Sequence, residues 1–165
     1  MNTSNETLNS ETKKTVSVRK NRLFLYLSIL SLLILFIAFS VFVRNSIKFK
    51  YAELGRTSIS IDVVNTEALR AKGLSGTTKL PIGHGMLFDF KHDGVWPMWM
   101  KDMNYPLDMV WITKEGKVVH IVNELHPSDY PTVHENSIPC RYVLEVNAGV
   151  LSSLNVVVGS SIHFR

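Results

Sequence analysis

Disulfide bonds and low-complexity segments are missing from this 165-residue chain. Cys140 is the single cysteine, so no intramolecular disulfide can form. Nine glycines and six prolines are too few for a collagen-like chain, and a hydrophobic content of 45% excludes a wholly disordered one. Because Cys140 precedes an apolar strand pattern, we expect it to be a small buried side chain rather than a nucleophile.

Motifs of the common enzyme classes are also missing. The sequence has no Gly-x-Ser-x-Gly elbow, phosphate-binding loop or dinucleotide fingerprint. Its six histidines form no His-x-His or His-x-x-x-His pair, the spacings that would favour a zinc site. The absence of a complete catalytic set favours a binding module over an enzyme, and the sequence predicts no cofactor.

A surplus of basic residues is confined to one end of the chain. Residues 1–50 carry eight of the 18 lysines and arginines but two of the 14 acidic residues. The other 115 residues therefore hold ten basic and twelve acidic side chains, a balance of −2. This part lacks the positive surplus that nucleic-acid binding requires, so we expect no nucleic-acid partner.

One long apolar run follows the basic segment. Residues 23–43 contain 21 residues without a charge, and a helix of that length spans about 32 Å, close to the hydrocarbon thickness of a bilayer. We therefore predict a single transmembrane helix over 23–43, with the lipid bilayer as its partner. Ala38-Phe39-Ser40 would suit cleavage of a signal peptide, but the run exceeds the usual apolar region of such peptides, which favours an uncleaved signal anchor.

The flanks of this run predict the topology. Five lysines and arginines lie between Lys13 and Arg22, which favours a cytoplasmic N-terminus and an extracytoplasmic C-terminal domain. The predicted organisation is a disordered basic cytoplasmic tail over 1–22, the transmembrane helix, a connector over 44–56 and a β domain over 57–165.

Strand patterns dominate the C-terminal segment. Residues 58–63 alternate polar and apolar side chains, and 107–112 with 118–122 flank a glycine-containing loop typical of a hairpin. Asn65 or Thr66 can cap a short helix that ends at Gly73. We predict a mainly β domain, a compact and mostly antiparallel β-sandwich or barrel with one or two short helices.

Five short motifs occur in order along this segment. They are Arg70-Ala71-Lys72-Gly73-Leu74, Gly85-Met86-Leu87-Phe88, Trp99-Met100-Lys101, Pro106-Leu107-Asp108, and Tyr142-Val143-Leu144-Glu145 followed by Ala148-Gly149. Together they resemble the domain of unknown function 192 family. The resemblance covers about residues 57–165. It implies a small, mostly antiparallel β domain that is often exported or membrane-tethered, without an established catalytic activity or catalytic residues.

Two carboxylates within apolar strand patterns are the candidate functional residues. By alternation, Asp108 shares a strand face with Val110 and Ile112, and Glu145 shares one with Val143. A buried unpaired charge is costly, so each needs a cation, hydrogen-bond donors or solvent. The alternatives are a shared ligand site, an acid/base pair of a hydrolase, or carboxylates that pin loops or face water. The candidate ligand site comprises Trp99, Lys101, Asp108, Arg141 and Glu145, with Lys101 and Arg141 as the nearest partners.

Methionines are concentrated beside Trp99. Met98, Met100 and Met103 lie within eight residues that also contain two tryptophans, and thioethers are ligands suited to Cu(I). Packing in a core strand explains the same pattern.

The leading hypothesis for the whole chain is a membrane-anchored extracytoplasmic domain that binds a small molecule, a glycan or a protein of the cell envelope. An envelope hydrolase using Asp108 and Glu145 and a methionine-based copper-handling module are the alternatives.

Overall fold

The computed structural model describes residues 25–38, residue 40 and residues 49–165. Residues 25–38 and 40 are helical, and the hydroxyls of Ser28 and Ser31 each donate to a carbonyl three residues earlier at 2.8 Å. Among the described residues, no helix has the length and apolarity that a bilayer crossing requires. The predicted tail over 1–22, both ends of the predicted span and residues 44–48 of the connector lie outside the described residues.

The C-terminal part of the chain forms a compact unit of its own, over residues 48–165. Its main element is one seven-stranded sheet with the strand order β5-β4-β6-β3-β2-β1-β7. The strands are β1 (Tyr51–Leu54), β2 (Thr57–Val64), β3 (His84–Gly94), β4 (Leu107–Ile112), β5 (Val118–Leu125), β6 (Cys140–Asn147) and β7 (Ile162–Phe164). Two short helices, α1 (Glu67–Lys72) and α2 (Val150–Ser153), and a 3-10 turn (Pro127–Asp129) complete the unit.

The sheet is mixed and curled. Five of its strand pairs are antiparallel, whereas β2 and β3 are parallel. Parallel neighbours need a crossover connection, which α1 and the loop after it provide. A bridge between Lys117 and Ser161 links the two edge strands where they begin. The mainly β, mostly antiparallel prediction is confirmed, but the strands form one curled sheet rather than two stacked ones.

Local sequence signals explain several elements. Thr66 caps α1 through its hydroxyl, which accepts from the Leu69 N–H at 3.3 Å, and Gly73 ends the helix with a positive φ of 47°. The predicted hairpin is β4 and β5, which pair antiparallel. By contrast, β1 lies within the stretch predicted to be a connector. Its four residues are too few for a recognisable alternation, and its place in the sheet comes from pairing with β2 and β7.

Two hydrophobic cores lie on opposite faces of the sheet. The first core includes Leu54, Val110, Leu144 and Ile162. The second core contains side chains from the other face of the same strands, together with loop residues that cover it. Alternation along each strand assigns neighbouring residues to different cores. The principal members of the second core are Val64, Leu74, Phe88, Met98, Met100, Leu107, Met109, Trp111, Cys140 and Val143.

Hydrogen bonds hold the covering loops over the second core. Trp111 donates its indole N–H to the carbonyl of Trp96 at 2.9 Å, and the buried amide of Asn136 accepts from the Trp96 N–H at 2.8 Å. The loop after α1 is tied to the segment before β4 by the Thr77 and Tyr105 hydroxyls, 2.6 Å apart. These contacts fix the two loops whose side chains surround the cavity described next.

Candidate functional site

A cavity of about 220 Å³ lies on the second-core face of the sheet. Helix α1 and the residues that follow it form one side, Pro97 to Trp99 form another, and β3 and β6 contribute side chains between them. Glu145 is 4% exposed, whereas Trp99 is 47% exposed. The carboxyl therefore lies at the closed end of the cavity and the indole at its mouth.

The position of Glu145 follows from β6, which lies between β3 and β4 in the sheet. Glu145 is paired with Met86 of β3 and with Met109 of β4. Its neighbours Leu144 and Val146 belong to the first core, and Val143 belongs to the second. Alternation therefore directs the Glu145 side chain to the second-core face, as the sequence predicted.

The Glu145 carboxyl has no protein partner within residues 49–165. No ion pair reaches its side chain from any residue in that range, and no hydrogen bond or neighbouring charge offsets the effect of burial on its pKa. Burial without a compensating charge raises the pKa of Glu145 to about 8. Because a neutral carboxylic acid is favoured there near neutral pH, the group offers one O–H donor and an acceptor oxygen to the cavity.

The other predicted carboxylate, Asp108, lies on the opposite face of the sheet. It is fully buried, and its two oxygens accept the backbone N–H groups of Glu124 at 2.8 Å and Leu151 at 2.9 Å. The carboxylate thereby fixes the end of β5 and the start of α2. Because Met109 is the partner of Glu145 and Asp108 precedes it, the sheet separates the two carboxylates. The fold therefore does not bring Asp108 and Glu145 together as a shared ligand site or as a hydrolase acid/base pair, and Asp108 pins loops.

Neither predicted cationic partner lies at the cavity. The Nε of Arg141 lies 3.2 Å from Asp89, and the Nζ of Lys91 lies 2.9 Å from the same carboxylate. Burial alone would raise the pKa of Asp89, but the hydrogen bonds from Lys91 and Arg141 outweigh it and lower that pKa. Lys101 is exposed and outside the cavity lining. Of the five predicted ligand-site residues, Trp99 and Glu145 meet at the cavity.

The three methionines do not share one accessible site. Met98 and Met103 line the cavity, whereas Met100 is buried in the second core outside the cavity lining. Residues 25–38, 40 and 49–165 contain no group of three or more His, Cys, Asp or Glu side chains placed to hold a metal ion. Packing accounts for the positions of Met98 and Met100.

Cys140 is also a core residue. Its side chain is buried in the second core, and burial raises the pKa of its thiol to about 11. The expectation of a small buried side chain is confirmed. A thiol with so high a pKa is also a poor nucleophile.

Sequence reasoning missed the walls of the cavity. Phe88 and Phe90 of β3 and Arg70 and Lys72 of α1 all line it. The Arg70 guanidinium lies 5.1 Å above the ring of Phe90 and donates to the carbonyl of Asp89 at 3.1 Å. No residue of α1 is buried, so its sequence has no apolar stripe to mark what it packs against. The first family motif was the available signal, since it contains both cations.

Replacing Asp108 by Asn tests its structural role. One backbone N–H would then face the amide NH₂ and lose its acceptor, so we expect the free energy of unfolding to fall by about 1–3 kcal/mol. Chemical denaturation measures the change. The control is Asp62→Asn, an exposed site on β2, where a change within about 0.5 kcal/mol is expected. Equal small effects at both positions would contradict the pinning role.

Glu145 makes stability depend on pH. Its folded-state pKa of about 8 lies above the reference value of 4.5, so the folded state holds the proton more tightly than the unfolded one. The resulting stabilisation is full below about pH 4.5 and is lost as the pH rises from there to about 8. Within this window the free energy of unfolding falls by up to about 1.4 kcal/mol per pH unit.

Denaturation of the wild type and Glu145→Gln at several pH values checks this effect. Relative to the Gln variant, the wild type should lose stability steadily with rising pH. The exposed hairpin variant Glu115→Gln is the control and should follow the wild type. A constant difference between the wild type and Glu145→Gln across the window would show that Glu145 does not titrate as described.

Comparisons with known proteins give the family from one match and support the fold from two solved structures. A crystal structure of a proposed transcription regulator from Sinorhizobium meliloti 1021 is similar at 31% identity and a TM-score of 0.62, covering 65% of this chain and 82% of that one. A protein of unknown function from Novosphingobium aromaticivorans DSM 12444 is similar at 26% identity and a TM-score of 0.64, covering 68% and 83%. None of the curated proteins matches significantly. The model of the DUF192 family, described as Uncharacterized ACR, matches residues 50–164, so the chain belongs to the domain of unknown function 192 family.

Proposed function

We propose that this protein is a membrane-anchored, extracytoplasmic binding protein whose β domain holds a small organic molecule in the cavity beside Glu145. The observation that carries the proposal is the Glu145 carboxyl, which is buried, lacks a protein partner within residues 49–165 and lies in a cavity lined by aromatic side chains. A ligand would supply the missing hydrogen-bond partner.

The energetics of Glu145 support a functional role. A buried polar group without a hydrogen bond lowers stability, and buried polar groups in native proteins are seldom left in that state. Asp108 on the opposite face shows how the same sheet satisfies a structural carboxylate, through two backbone donors. Glu145 has no such arrangement. Unpaired titratable groups in a cavity are typical of binding and catalytic sites.

The walls and size of the cavity favour a small ligand. Phe88, Phe90 and Trp99 supply aromatic surface and Met98 and Met103 supply thioethers, which suits an apolar or ring-shaped body. The volume of about 220 Å³ is below the roughly 300–1,000 Å³ of clefts that take drug-sized molecules. A small molecule therefore fits better than a glycan chain or a protein segment.

The family motifs support the same site. Four of the five contribute residues to the cavity lining, namely those that contain Arg70, Phe88, Trp99 and Glu145. The remaining motif ends at Asp108, which fixes the loops on the other face of the sheet. The resemblance to the family thus concentrates on the segments that build the cavity.

The N-terminal helix supports membrane anchoring. From residue 25 to residue 37, eleven large apolar side chains are each more than half exposed. An exposed apolar surface of this extent is typical of a segment that contacts lipid or another apolar partner. Together with the uncharged run over 23–43 and the basic residues before it, this surface supports a signal anchor with the β domain outside.

Ligand capture tests the cavity. The full-length protein is incubated with a small-molecule extract of the source cells, and retained compounds are identified by mass spectrometry after release. Trp99→Ala removes a wall of the cavity, so we expect at least about tenfold weaker retention of the captured compound, the usual effect of losing an aromatic contact. Glu145→Gln removes the acid and should also weaken retention.

Tyr130→Ala is the matched control. Tyr130 is an aromatic side chain with the same 47% exposure as Trp99, but it lies outside the cavity lining. Its loss should leave retention unchanged. If the wild type retains no compound more tightly than Trp99→Ala does, the cavity is not a small-molecule site.

Protease treatment tests the topology. In intact cells or spheroplasts that express the full chain with a C-terminal epitope, we expect added protease to remove the epitope while a cytoplasmic marker stays protected. The expectation follows from the basic residues ahead of the apolar run, which are retained in the cytoplasm. An epitope that becomes sensitive only after lysis would place the β domain inside and contradict the proposed topology.

A further inference from the structure

We infer that the ligand of this cavity is a small organic acid with a ring-sized apolar body, whose anionic group is bound by Arg70 with Lys72 nearby. The inference rests on the proposed function and narrows it to one ligand chemistry. Its basis is the placement of charged groups around the cavity and the way Arg70 is held.

Four charged or titratable side chains line the cavity. Helix α1 supplies Glu67, Arg70 and Lys72, and β6 supplies Glu145. The other strand that contributes, β3, and the Pro97 to Trp99 segment add only apolar and aromatic side chains to the lining. With Glu145 in its neutral form, the lining carries a net charge of +1, which favours a monoanion.

Arg70 is oriented for recognition of an anion. One guanidinium nitrogen donates to the carbonyl of Asp89 at 3.1 Å, and the guanidinium lies over Phe90. These contacts fix the group and leave most of its N–H donors for a ligand. Within residues 49–165, Arg70 forms no ion pair within 4.0 Å, since the Asp89 carboxylate is paired with Lys91 and Arg141. A planar guanidinium matches a carboxylate through two parallel hydrogen bonds.

Glu145 adds to this selectivity from the closed end of the cavity. In its neutral form it donates a hydrogen bond to an oxygen of the ligand without repelling an acid. A ligand with an ammonium group would instead require Glu145 to ionise within its buried site, and the other charged groups of the lining, Glu67, Arg70 and Lys72, would still sum to +1. The arrangement therefore favours an acid over an amine.

Three matched probes test the inference: phenylacetate, benzylammonium and benzyl alcohol, which share a ring and differ in charge. Binding to the full-length protein is followed by tryptophan fluorescence, because Trp99 lines the cavity. Near neutral pH, we expect phenylacetate to bind at least about tenfold more tightly than benzylammonium, with the alcohol between them. Empty detergent micelles correct for partitioning of the probes.

Two arginine variants locate the effect. Arg70→Gln should remove the preference for phenylacetate and retain the binding of benzyl alcohol. Arg56→Gln removes the same charge from an exposed position outside the cavity lining and should keep the preference. Loss of the preference in both variants would mean that general attraction by positive charge, not the Arg70 site, selects the acid, and the inference would fail.

The pH dependence gives an independent readout. As the pH rises through about 8, Glu145 ionises and repels a bound acid, so the affinity for phenylacetate should fall in the wild type and stay level in Glu145→Gln. Tighter binding of benzylammonium, equal binding of the three probes, or no binding of any probe would each overturn the acid inference. None of these results would overturn small-molecule binding itself, which the capture of compounds from the cell extract decides separately.

Discussion

The central constraint of this domain is the alternation of side chains along β6, the strand that pairs with β3 on one side and β4 on the other. Tyr142, Leu144 and Val146 are directed to the first core, so Glu145 must face the second. A shift of one residue in the register would exchange the two sets and bury several apolar side chains on the wrong face. The burial of Glu145 is thus a consequence of the whole sheet, and so is the cavity at which it lies.

Asp108 and Glu145 show how environment separates two carboxylates on neighbouring strands. Asp108 receives two backbone hydrogen bonds and holds together the end of β5 and the start of α2. Glu145 receives none within residues 49–165, and burial raises its pKa. The first arrangement satisfies a buried acceptor and supports the fold, whereas the second reduces stability and leaves a polar group free for a ligand. This contrast is the reason that one residue is assigned to structure and the other to binding.

The sequence predicted those features that depend on nearby residues. Period-two alternation indicated β2, and the loop with Gly116 indicated the hairpin of β4 and β5. Alternation even placed Asp108 and Glu145 correctly within their own strands. It could not show that they lie on opposite faces, because that depends on the pairing of Met109 with Glu145, which joins residues 36 positions apart. The cavity was missed for a similar reason: Arg70, Phe90 and Trp99 come from separate segments that only the folded chain brings together.

Cys140 illustrates a further consequence of packing in the second core. Its thiol is shielded from solvent and its pKa is raised to about 11, so very little of it is present as the thiolate that takes part in exchange reactions. Cross-linking of two copies through this sulfur therefore requires the second core to open locally, which exposes the thiol. A chain with an odd cysteine is in this way protected from mispairing by the same tight interior that supports the sheet.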